Sequence, residues 1–165
     1  MTEANGFDAR AYRDVLGHFA TGVVVVAASG PNGPAGMSAN SFTSVSLDPP
    51  LVAFCADHTS TTWPRLRTAG AFAISILRSD QEELGRVFAR RGVDRFDGVS
   101  WHLSPQGHPV LDGALAWLDC RIETVHPAGD HELTLARVVD LSSDLDEAAA
   151  PLLFFRGRYA QLTSR

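Results

Sequence analysis

The chain contains no lysine, and its 14 basic residues are all arginines. With 19 acidic residues, the formal net charge is -5. A nucleic-acid-binding surface needs a basic patch, whereas the one local basic cluster, formed by Arg86, Arg90, Arg91 and Arg95, alternates with acidic residues. That alternation is typical of a solvated helix face. We therefore expect no nucleic-acid partner.

Cysteines and long apolar runs are also scarce. The two cysteines, Cys55 and Cys120, lie in apolar stretches and form no CxxC pair, which favours buried free thiols in a reducing compartment. No apolar run approaches the roughly 20 residues of a membrane helix. The polar N-terminal segment MTEANGFDARAYRD is unlike a signal peptide. These features predict a cytoplasmic protein that does not contact a membrane.

The overall composition is that of an ordinary globular protein. Hydrophobic residues make up 45% and charged residues 20% of the chain. A chain of 165 residues can bury a core without disulfide bonds. We predict a single domain that spans residues 1–165.

Three helices are predicted from capping residues and helical spacing. Asp8 can cap the first helix, and the second, within STTWPRLRTAG, is expected to end at Gly70. Ser79 and Glu82 form an S-x-x-E capping box that opens the third. The irregular segment GVDRFDGVSWHLSPQGHPVLDG is predicted to be a long loop.

The hydrophobic pattern predicts about seven strands. In the run that begins at Ala116, Cys120 belongs to a buried face, while Asp119 and Arg121 belong to a face exposed to water. Because the strands outnumber the helices and do not alternate with them, we predict a mainly β fold, an antiparallel β-barrel with peripheral helices. The predicted strands are TGVVVVAAS, AGMSANSFTSVSL, LVAFCAD, AFAISIL, the run from Ala116 to Thr124, HELTLARVVDL and PLLFFRGRYAQL.

Uncharged hydroxyl and amide side chains are concentrated between Met37 and Leu47. Small side chains let a flat ligand approach the backbone, and main-chain N–H groups with hydroxyls supply donors without fixed charge. This combination suits a neutral conjugated ring. Taken alone, the segment is better explained as a polar-faced edge strand.

Other chemistries are not supported by the motifs. His131-Glu132 begins an HExxH motif, but Leu135 stands where the second histidine is needed, so we predict no metal site. GMSAN lacks the final glycine of a serine nucleophile elbow, because Asn40 stands there. Cys120 lies on a predicted core face, where a thiol is inert.

Seven motifs follow one another along nearly the whole chain, and together they resemble the flavin reductase family, the reductase components of two-component flavin monooxygenases. The resemblance implies a flavin reductase-like FMN-binding split barrel that forms a homodimer. The motifs are FATGVVVV (Phe19–Val26), SANSFTSVSLDPPLVAFC (Ser38–Cys55), STTWPRL (Ser60–Leu66), FAISIL (Phe72–Leu77), DRFDGVSW (Asp94–Trp101), GDHELTLARV (Gly129–Val138) and PLLFFRGRY (Pro151–Tyr159).

The resemblance also implies roles for individual residues. One group lies along the flavin ring through its backbone, a second surrounds the ribityl phosphate beside a helix start with free N–H groups, and a third meets NAD. His131 is implied as the catalytic residue, near the nicotinamide. The three groups are, in that order, Met37, Ser38, Ala39, Asn40 and Ser41; Ala56, Asp57, His58, Ser60 and Thr62; and Phe155, Arg156, Gly157 and Tyr159.

The implied reaction is hydride transfer from NADH, or NADPH, to an exchangeable FMN or FAD. The reduced flavin then diffuses to a separate monooxygenase. In the phosphate loop the candidate cation is His58, a weak one near pH 7, which predicts readily exchanging flavin. A non-catalytic flavin-binding or sensor protein on the same fold remains the alternative.

Overall fold

The computed structural model describes residues 6–144 and 146–163, so the first five residues of the N-terminal segment and the ends of the predicted domain lie outside it. The helices are α1 (Ala9–Leu16), α2 (Trp63–Ala69) and α3 (Glu82–Ala89), with a 3-10 turn at Ser79–Gln81 before α3. The strands are β1 (Thr21–Gly22), β2 (Val24–Ala28), β3 (Ala35–Ala39), β4 (Thr43–Leu47), β5 (Pro50–Asp57), β6 (Ala71–Ile76), β7 (Trp101–Leu103), β8 (Pro109–Leu111), β9 (Ala116–Ala128), β10 (His131–Ser143), β11 (Leu153–Phe155) and β12 (Arg158–Ala160).

The main sheet has seven antiparallel strands in the order β3-β2-β6-β9-β10-β5-β4. It curls on itself so that β3 approaches β5. Strand β4 pairs with β5 only as far as Ala53, so the second half of β5 has no strand on that side. The predicted antiparallel barrel with peripheral helices is therefore confirmed, and it has one open seam, between β3 and the end of β5.

The core is divided between the two faces of β2. Val24 and Val26 point into the barrel and pack with Phe54 and Phe72. Val25, on the opposite face, packs with other apolar side chains beneath α3. Alternate strand residues face opposite sides, so an unbroken run of valines indicates a strand that is buried on both faces.

The helix boundaries match the sequence prediction at two places and depart from it at a third. Asp8 Oδ1 accepts a hydrogen bond from the Ala11 amide at 2.7 Å, and α2 ends at Gly70, whose φ is +71°. The predicted Ser79 capping box is wrong, because the Gln81 side chain accepts from the Arg78 amide at 3.0 Å. Within the described residues, no helix has the length and apolar character to cross a membrane.

Four predicted elements are subdivided, and one of them, the strand TGVVVVAAS, forms β1 and β2 in different sheets. The segment AGMSANSFTSVSL forms β3 and β4, which are separated by residues 40–42. The predicted long loop contains the hairpin of β7 and β8. PLLFFRGRYAQL folds back at Arg156 and Gly157, both with positive φ, to form the hairpin of β11 and β12.

The prediction that Asp119 faces water is also wrong. Its side chain is fully buried, although it lies on a strand with alternating polar residues. The Ser104 hydroxyl donates to one carboxylate oxygen at 2.6 Å, and the Gln106 amide donates to the other at 3.2 Å. The turn between β7 and β8 therefore covers Asp119 and supplies the donors that a buried carboxylate requires.

Candidate functional site

A cavity of about 310 Å³ lies at the open seam of the barrel. Its walls come from β3 and the following turn, the end of β5 and the next loop, α3 with the segment after it, and the start of β10. This volume is at the lower end of the range for small-molecule sites. The lining residues are Met37, Ser38, Ala39, Asn40, Ser41, Cys55, Ala56, Asp57, Ser60, Thr61, Phe88, Ala89, Arg91, Arg95 and His131.

Ser41 closes the seam at one end of this seam cavity. Its hydroxyl accepts a hydrogen bond from the Cys55 amide at 2.9 Å and donates to the Cys55 carbonyl at 3.2 Å. Alternate residues of a strand direct their backbone groups to the same edge, so the Asp57 amide faces the seam as well. This end of the cavity is thus bordered by strand backbone.

The loop after β5 is held by its own side chains. Asp57 Oδ1 accepts from the amide and the hydroxyl of Thr59, at 2.6 and 2.7 Å. These bonds from Thr59 lower the pKa of the Asp57 carboxyl below its ordinary value. The Ser60 hydroxyl accepts from the amides of Thr62 and Trp63, at 3.3 and 3.0 Å. Two amides at the start of α2, which the sequence analysis assigned to a phosphate, are therefore already bonded.

Two arginines supply positive charge on this side of the cavity. Arg91 Nη2 donates to the Thr59 hydroxyl at 2.8 Å. Arg95 Nη1 donates to the Gly36 carbonyl at 2.7 Å and to the Thr62 hydroxyl at 2.9 Å. Burial lowers the pKa of Arg95 below its ordinary value, but an arginine remains charged at neutral pH. Both guanidinium groups are thus held at the cavity wall.

The expectation of a solvated basic helix face is right for Arg86 and Arg90, whereas Arg91 is exposed but lies beyond the helix, and Arg95 is half-buried. Arg86 and Arg90 pair with the acidic residues Glu82 and Glu83 on the surface of α3. Helix α3 ends at Ala89, so the chain turns back over the cavity after it. Arg91 and Arg95 follow the end of α3, and helical periodicity predicts the position of a helix end poorly.

His131 is the first residue of β10 and lies opposite Asp57 in the strand register. Its Nδ1 is 2.6 Å from Asp130 Oδ1, and the side chain is 39% exposed. The bond from His131 lowers the pKa of the Asp130 carboxyl. Because Asp130 holds Nδ1, the other ring nitrogen remains for a ligand. His131 lies at the β10 wall of the cavity, whereas Arg91 and Arg95 lie on the wall that follows α3.

Most of the residues predicted for the flavin line one cavity together with His131, which was predicted for the nicotinamide, although they come from three segments of the chain. His58 does not line it: the side chain is exposed, and its amide donates to the Asp130 carbonyl at 3.0 Å. Thr62 contacts Arg95 and lines a neighbouring cavity instead. The predicted residues that line the seam cavity are Met37, Ser38, Ala39, Asn40, Ser41, Ala56, Asp57, Ser60 and His131.

The residues predicted for NAD belong to the hairpin of β11 and β12, beside α3. A cavity of about 660 Å³ here includes Gly157 and Tyr159 and shares Ala89 with the seam cavity. The Tyr159 ring packs over Gly85, where a Cβ would lie 3.0 Å from it. The Arg86 guanidinium stands 4.9 Å from the centre of the same ring.

Phe155 and Arg156 lie at the tip of this hairpin and do not line its cavity. The Arg156 guanidinium stands 5.1 Å from the centre of the Phe155 ring. The Arg156 amide donates to the Gly17 carbonyl at 2.8 Å, just after α1. The structure thus separates the four residues into two that line a cavity beside the seam and two at the hairpin tip that do not.

A sequence profile describing a flavin reductase like domain matches residues 16–163. The chain belongs to the flavin reductase family. It is 42% identical over 156 residues to a flavin reductase of Pseudomonas putida, which covers 94% of this chain and 91% of the relative. It is 41% identical over 156 residues to the reductase subunit of a flavin-dependent monooxygenase of Rhodococcus jostii, which covers 94% of this chain and 79% of the relative.

A solved structure agrees with this membership of the flavin reductase family. The NADH:FAD oxidoreductase of Streptomyces globisporus, in complex with NAD and FAD fragments, superimposes with a TM-score of 0.90. It is 39% identical and covers 99% of this chain and 98% of that chain. The fold of this flavin reductase therefore agrees with that of its relatives over nearly the full described length.

The residues at the seam of this flavin reductase fit a flavin. Small side chains, such as Ser38 and Ala39, leave strand backbone accessible to a flat ring, and arginines stand nearby for a phosphate. Among the described residues, no group of three or more His, Cys, Asp or Glu side chains is placed to hold a metal ion. Arg91 and Arg95 are the site residues that sequence reasoning missed. The available signal was the family motif DRFDGVSW, which contains Arg95 and begins three residues after Arg91.

Proposed function

We propose that the protein is an NAD(P)H:flavin oxidoreductase that transfers a hydride from NADH to FMN or FAD. The observation that carries this proposal is the seam cavity itself. Its wall from Met37 to Ser41 carries no charged side chain and exposes strand backbone, with Arg91 and Arg95 on one side and His131 on another. This arrangement matches the polarity of a flavin, which has a neutral ring at one end and a phosphate at the other.

The flavin ring lies along the segment from Met37 to Ser41 in this proposal. When bound, the flavin supplies the redox chemistry, because its ring accepts the hydride of the nicotinamide. Backbone N–H groups of the strands donate to the ring oxygens and nitrogens and stabilise negative charge that develops there. Ser41 holds this wall in place through its bonds to Cys55.

The phosphate of the flavin lies near Arg91 and Arg95. Charge-assisted hydrogen bonds from guanidinium groups are stronger than those from neutral donors. Because Arg91 and Arg95 supply fixed cations, the weak basicity of His58 does not account for exchange of the flavin. Exchange rests instead on the exposure of the cavity rim, since Asn40, Ser41 and Arg91 are exposed.

His131 holds the nicotinamide against the flavin ring. The reaction needs two flat rings in contact, so the protein contributes mainly by orienting them. Asp130 fixes the imidazole through Nδ1, which leaves Nε2 to donate to or accept from the nicotinamide. The hairpin cavity with Gly157 and Tyr159 adjoins the seam at Ala89 and can receive the rest of the dinucleotide.

The names of the relatives support the same reaction and a biological setting for it. One solved relative is an NADH:FAD oxidoreductase, and one sequence relative is the reductase subunit of a flavin-dependent monooxygenase. We infer that the reduced flavin leaves this protein and diffuses to a separate monooxygenase component.

The protein also assembles as a homodimer in this proposal. Helix α1 has no buried residue and exposes Tyr12, Val15 and Leu16, while β4 exposes Val45 and leaves Leu47 96% accessible. Exposed apolar patches of this kind mark interaction surfaces. Sedimentation at micromolar concentration tests this inference: a dimer supports it, and a single 17.7 kDa species contradicts it.

Anaerobic mixing of the protein, free flavin and NADH tests the proposed reaction. Loss of the visible flavin absorbance, at a rate that depends on protein concentration, is the expected result. A non-catalytic flavin-binding or sensor protein would bind flavin and leave its absorbance unchanged by NADH.

A further inference from the structure

A second cavity, of about 620 Å³, lies directly beside the seam cavity. Thr61 and Arg95 line both cavities. The boundary also runs along β3, where Gly36 lines the second cavity and Met37 the first. Ala35 also lines the second cavity and Ser38 also lines the first, so the two cavities adjoin end to end along β3.

We propose that this second cavity holds the adenosine half of FAD, so that FAD is the preferred flavin of this protein. We call it the adenosine cavity. The inference rests on the proposed function, since the flavin ring must lie in the seam cavity for the rest of FAD to extend across the boundary.

The junction between the cavities carries the charge that a diphosphate needs. Arg95 Nε donates to the Arg90 carbonyl at 2.7 Å, and Nη1 is bonded to Gly36 and Thr62. Among the described residues, Nη2 of Arg95 has no partner and remains for a ligand. Arg65 adds a second guanidinium to the adenosine cavity, held by the carbonyl of Gly33 at 3.3 Å.

Aromatic side chains line the adenosine cavity farther from the junction. Phe96 and Trp101 meet edge to face, with ring centres 5.6 Å apart, and both are half-buried. Phe96 in turn packs against Phe88, which fixes the pair to the core. A purine stacks favourably on a held aromatic ring. FMN has no base to place here, so this surface distinguishes the two flavins.

Carboxylates on the same wall suit a ribose. Asp94 and Asp97 both line the adenosine cavity. Asp94 Oδ1 accepts from the Phe96 amide at 3.0 Å, while Asp97 is exposed. A carboxylate accepts hydrogen bonds from ribose hydroxyls, as in dinucleotide-binding folds. The cavity therefore combines arginines at the diphosphate junction with acids and aromatic rings beyond it.

The adenosine of NADH has a different place in this arrangement. The hairpin cavity shares Ala89 with the seam cavity and is lined by Arg86, Arg90 and Arg158 beside Tyr159. A dinucleotide whose nicotinamide lies at His131 can use that cavity, which leaves the one behind Arg95 for FAD. The two adenosine positions predict different mutational effects.

Binding of oxidised flavins to the protein without NADH tests the inference, with isothermal titration calorimetry giving each Kd. We expect FAD to bind more tightly than FMN. Trp101→Leu should raise the Kd for FAD by roughly five- to a hundred-fold, the range for losing one base–aromatic stack, and leave the Kd for FMN nearly unchanged. Trp101→Phe should restore most of the FAD affinity. Trp117→Leu, a half-buried tryptophan outside this cavity, is the matched control.

A second variant avoids the core, because Trp101 also packs on Phe96. Asp97→Asn changes an exposed side chain and should weaken FAD several-fold while sparing FMN. The inference is overturned if wild-type protein binds FAD and FMN equally. It is also overturned if Trp101→Leu and Asp97→Asn weaken both flavins alike, or if they affect only the KM for NADH.

The same measurements separate this inference from the proposed function. A protein that prefers FAD in calorimetry but does not bleach flavin with NADH would overturn the reductase activity and support the adenosine cavity. A protein that bleaches flavins with NADH but binds FAD and FMN equally would overturn the adenosine cavity alone.

Discussion

The hydroxyl of Ser41 is bonded to both backbone groups of Cys55, accepting from its amide at 2.9 Å and donating to its carbonyl at 3.2 Å. A side chain thus takes the place of a neighbouring strand at the point where β4 no longer pairs with β5. These two bonds set the distance between the walls of the seam cavity, which Ser41 and Cys55 both line.

Ser41→Ala removes both bonds and should loosen the seam. We expect the free energy of unfolding, measured by urea denaturation, to fall by about 0.5–1.5 kcal/mol. The affinity for riboflavin should fall as well, because the wall that holds the ring is less fixed. Ser44→Ala, at an exposed serine on β4, is the control. Wild-type stability and riboflavin affinity in Ser41→Ala would show that the bridge is unimportant.

Arg91→Gln should weaken phosphorylated flavins selectively. Loss of a charge-assisted hydrogen bond costs roughly 1.5–3 kcal/mol, so the Kd for FMN should rise while that for riboflavin stays nearly constant. His58→Gln is the control, since His58 lies outside the cavity lining. If His58→Gln weakens FMN and Arg91→Gln does not, the phosphate lies at the histidine that the sequence suggested.

His131→Ala should affect the hydride donor and not the flavin. A hydrogen bond lost at the nicotinamide lowers kcat/KM for NADH by about five- to a hundred-fold, whereas the Kd for flavin should be nearly unchanged. His126→Ala, at an exposed histidine of β9, is the control. A variant with wild-type NADH kinetics, or one that only loses flavin, would remove His131 from the nicotinamide site.

Local sequence patterns correctly predicted those helix ends and strands that depend on interactions between neighbouring residues. The Asp8 cap, the glycine at the end of α2 and the valine run of β2 all depend on neighbouring residues, and each was found where it was expected. The burial of Asp119 depends on Ser104 and the turn around it, 15 residues earlier. A strand pattern alone carries no information about a turn that packs on it.

The sequence predicted some residues of the candidate site and missed others. The family motifs identified the segment from Met37 to Ser41 and also His131 as site residues. These residues line one cavity, although 90 residues separate Ser41 from His131. They did not reveal Arg91, whose role depends on where α3 ends and how the chain turns back. His58 was preferred because it is the candidate cation within the predicted phosphate loop, yet its side chain is exposed and does not line the cavity.

Cys120 predicts a loss of stability at alkaline pH. Burial, followed by the charge of Asp119, raises the pKa of its thiol from 9.0 to about 12. The unfolded thiol ionises first as the pH rises, so stability is fully present below pH 9 and is lost toward pH 12, by at most about 1.4 kcal/mol per pH unit.

The absence of lysine makes the pH dependence between pH 9 and 12 easier to interpret, because no lysine side chain titrates in this range. Urea midpoints should decline less steeply in Cys120→Val than in the wild type between pH 9 and the upper limit of reversible folding. Parallel declines in the two proteins would mean that other groups whose pKa is raised by burial, such as Cys55 and Tyr159, account for the alkaline loss.

The central claim is that the seam cavity brings a flavin and a nicotinamide together for hydride transfer. Anaerobic stopped-flow mixing of the protein and riboflavin with NADH tests it most directly, because riboflavin needs neither the phosphate contacts nor the adenosine cavity. We predict that the visible absorbance of riboflavin is lost in proportion to protein concentration, and far more slowly with His131→Ala. Riboflavin that binds to the protein but keeps its absorbance in the presence of NADH would contradict the account.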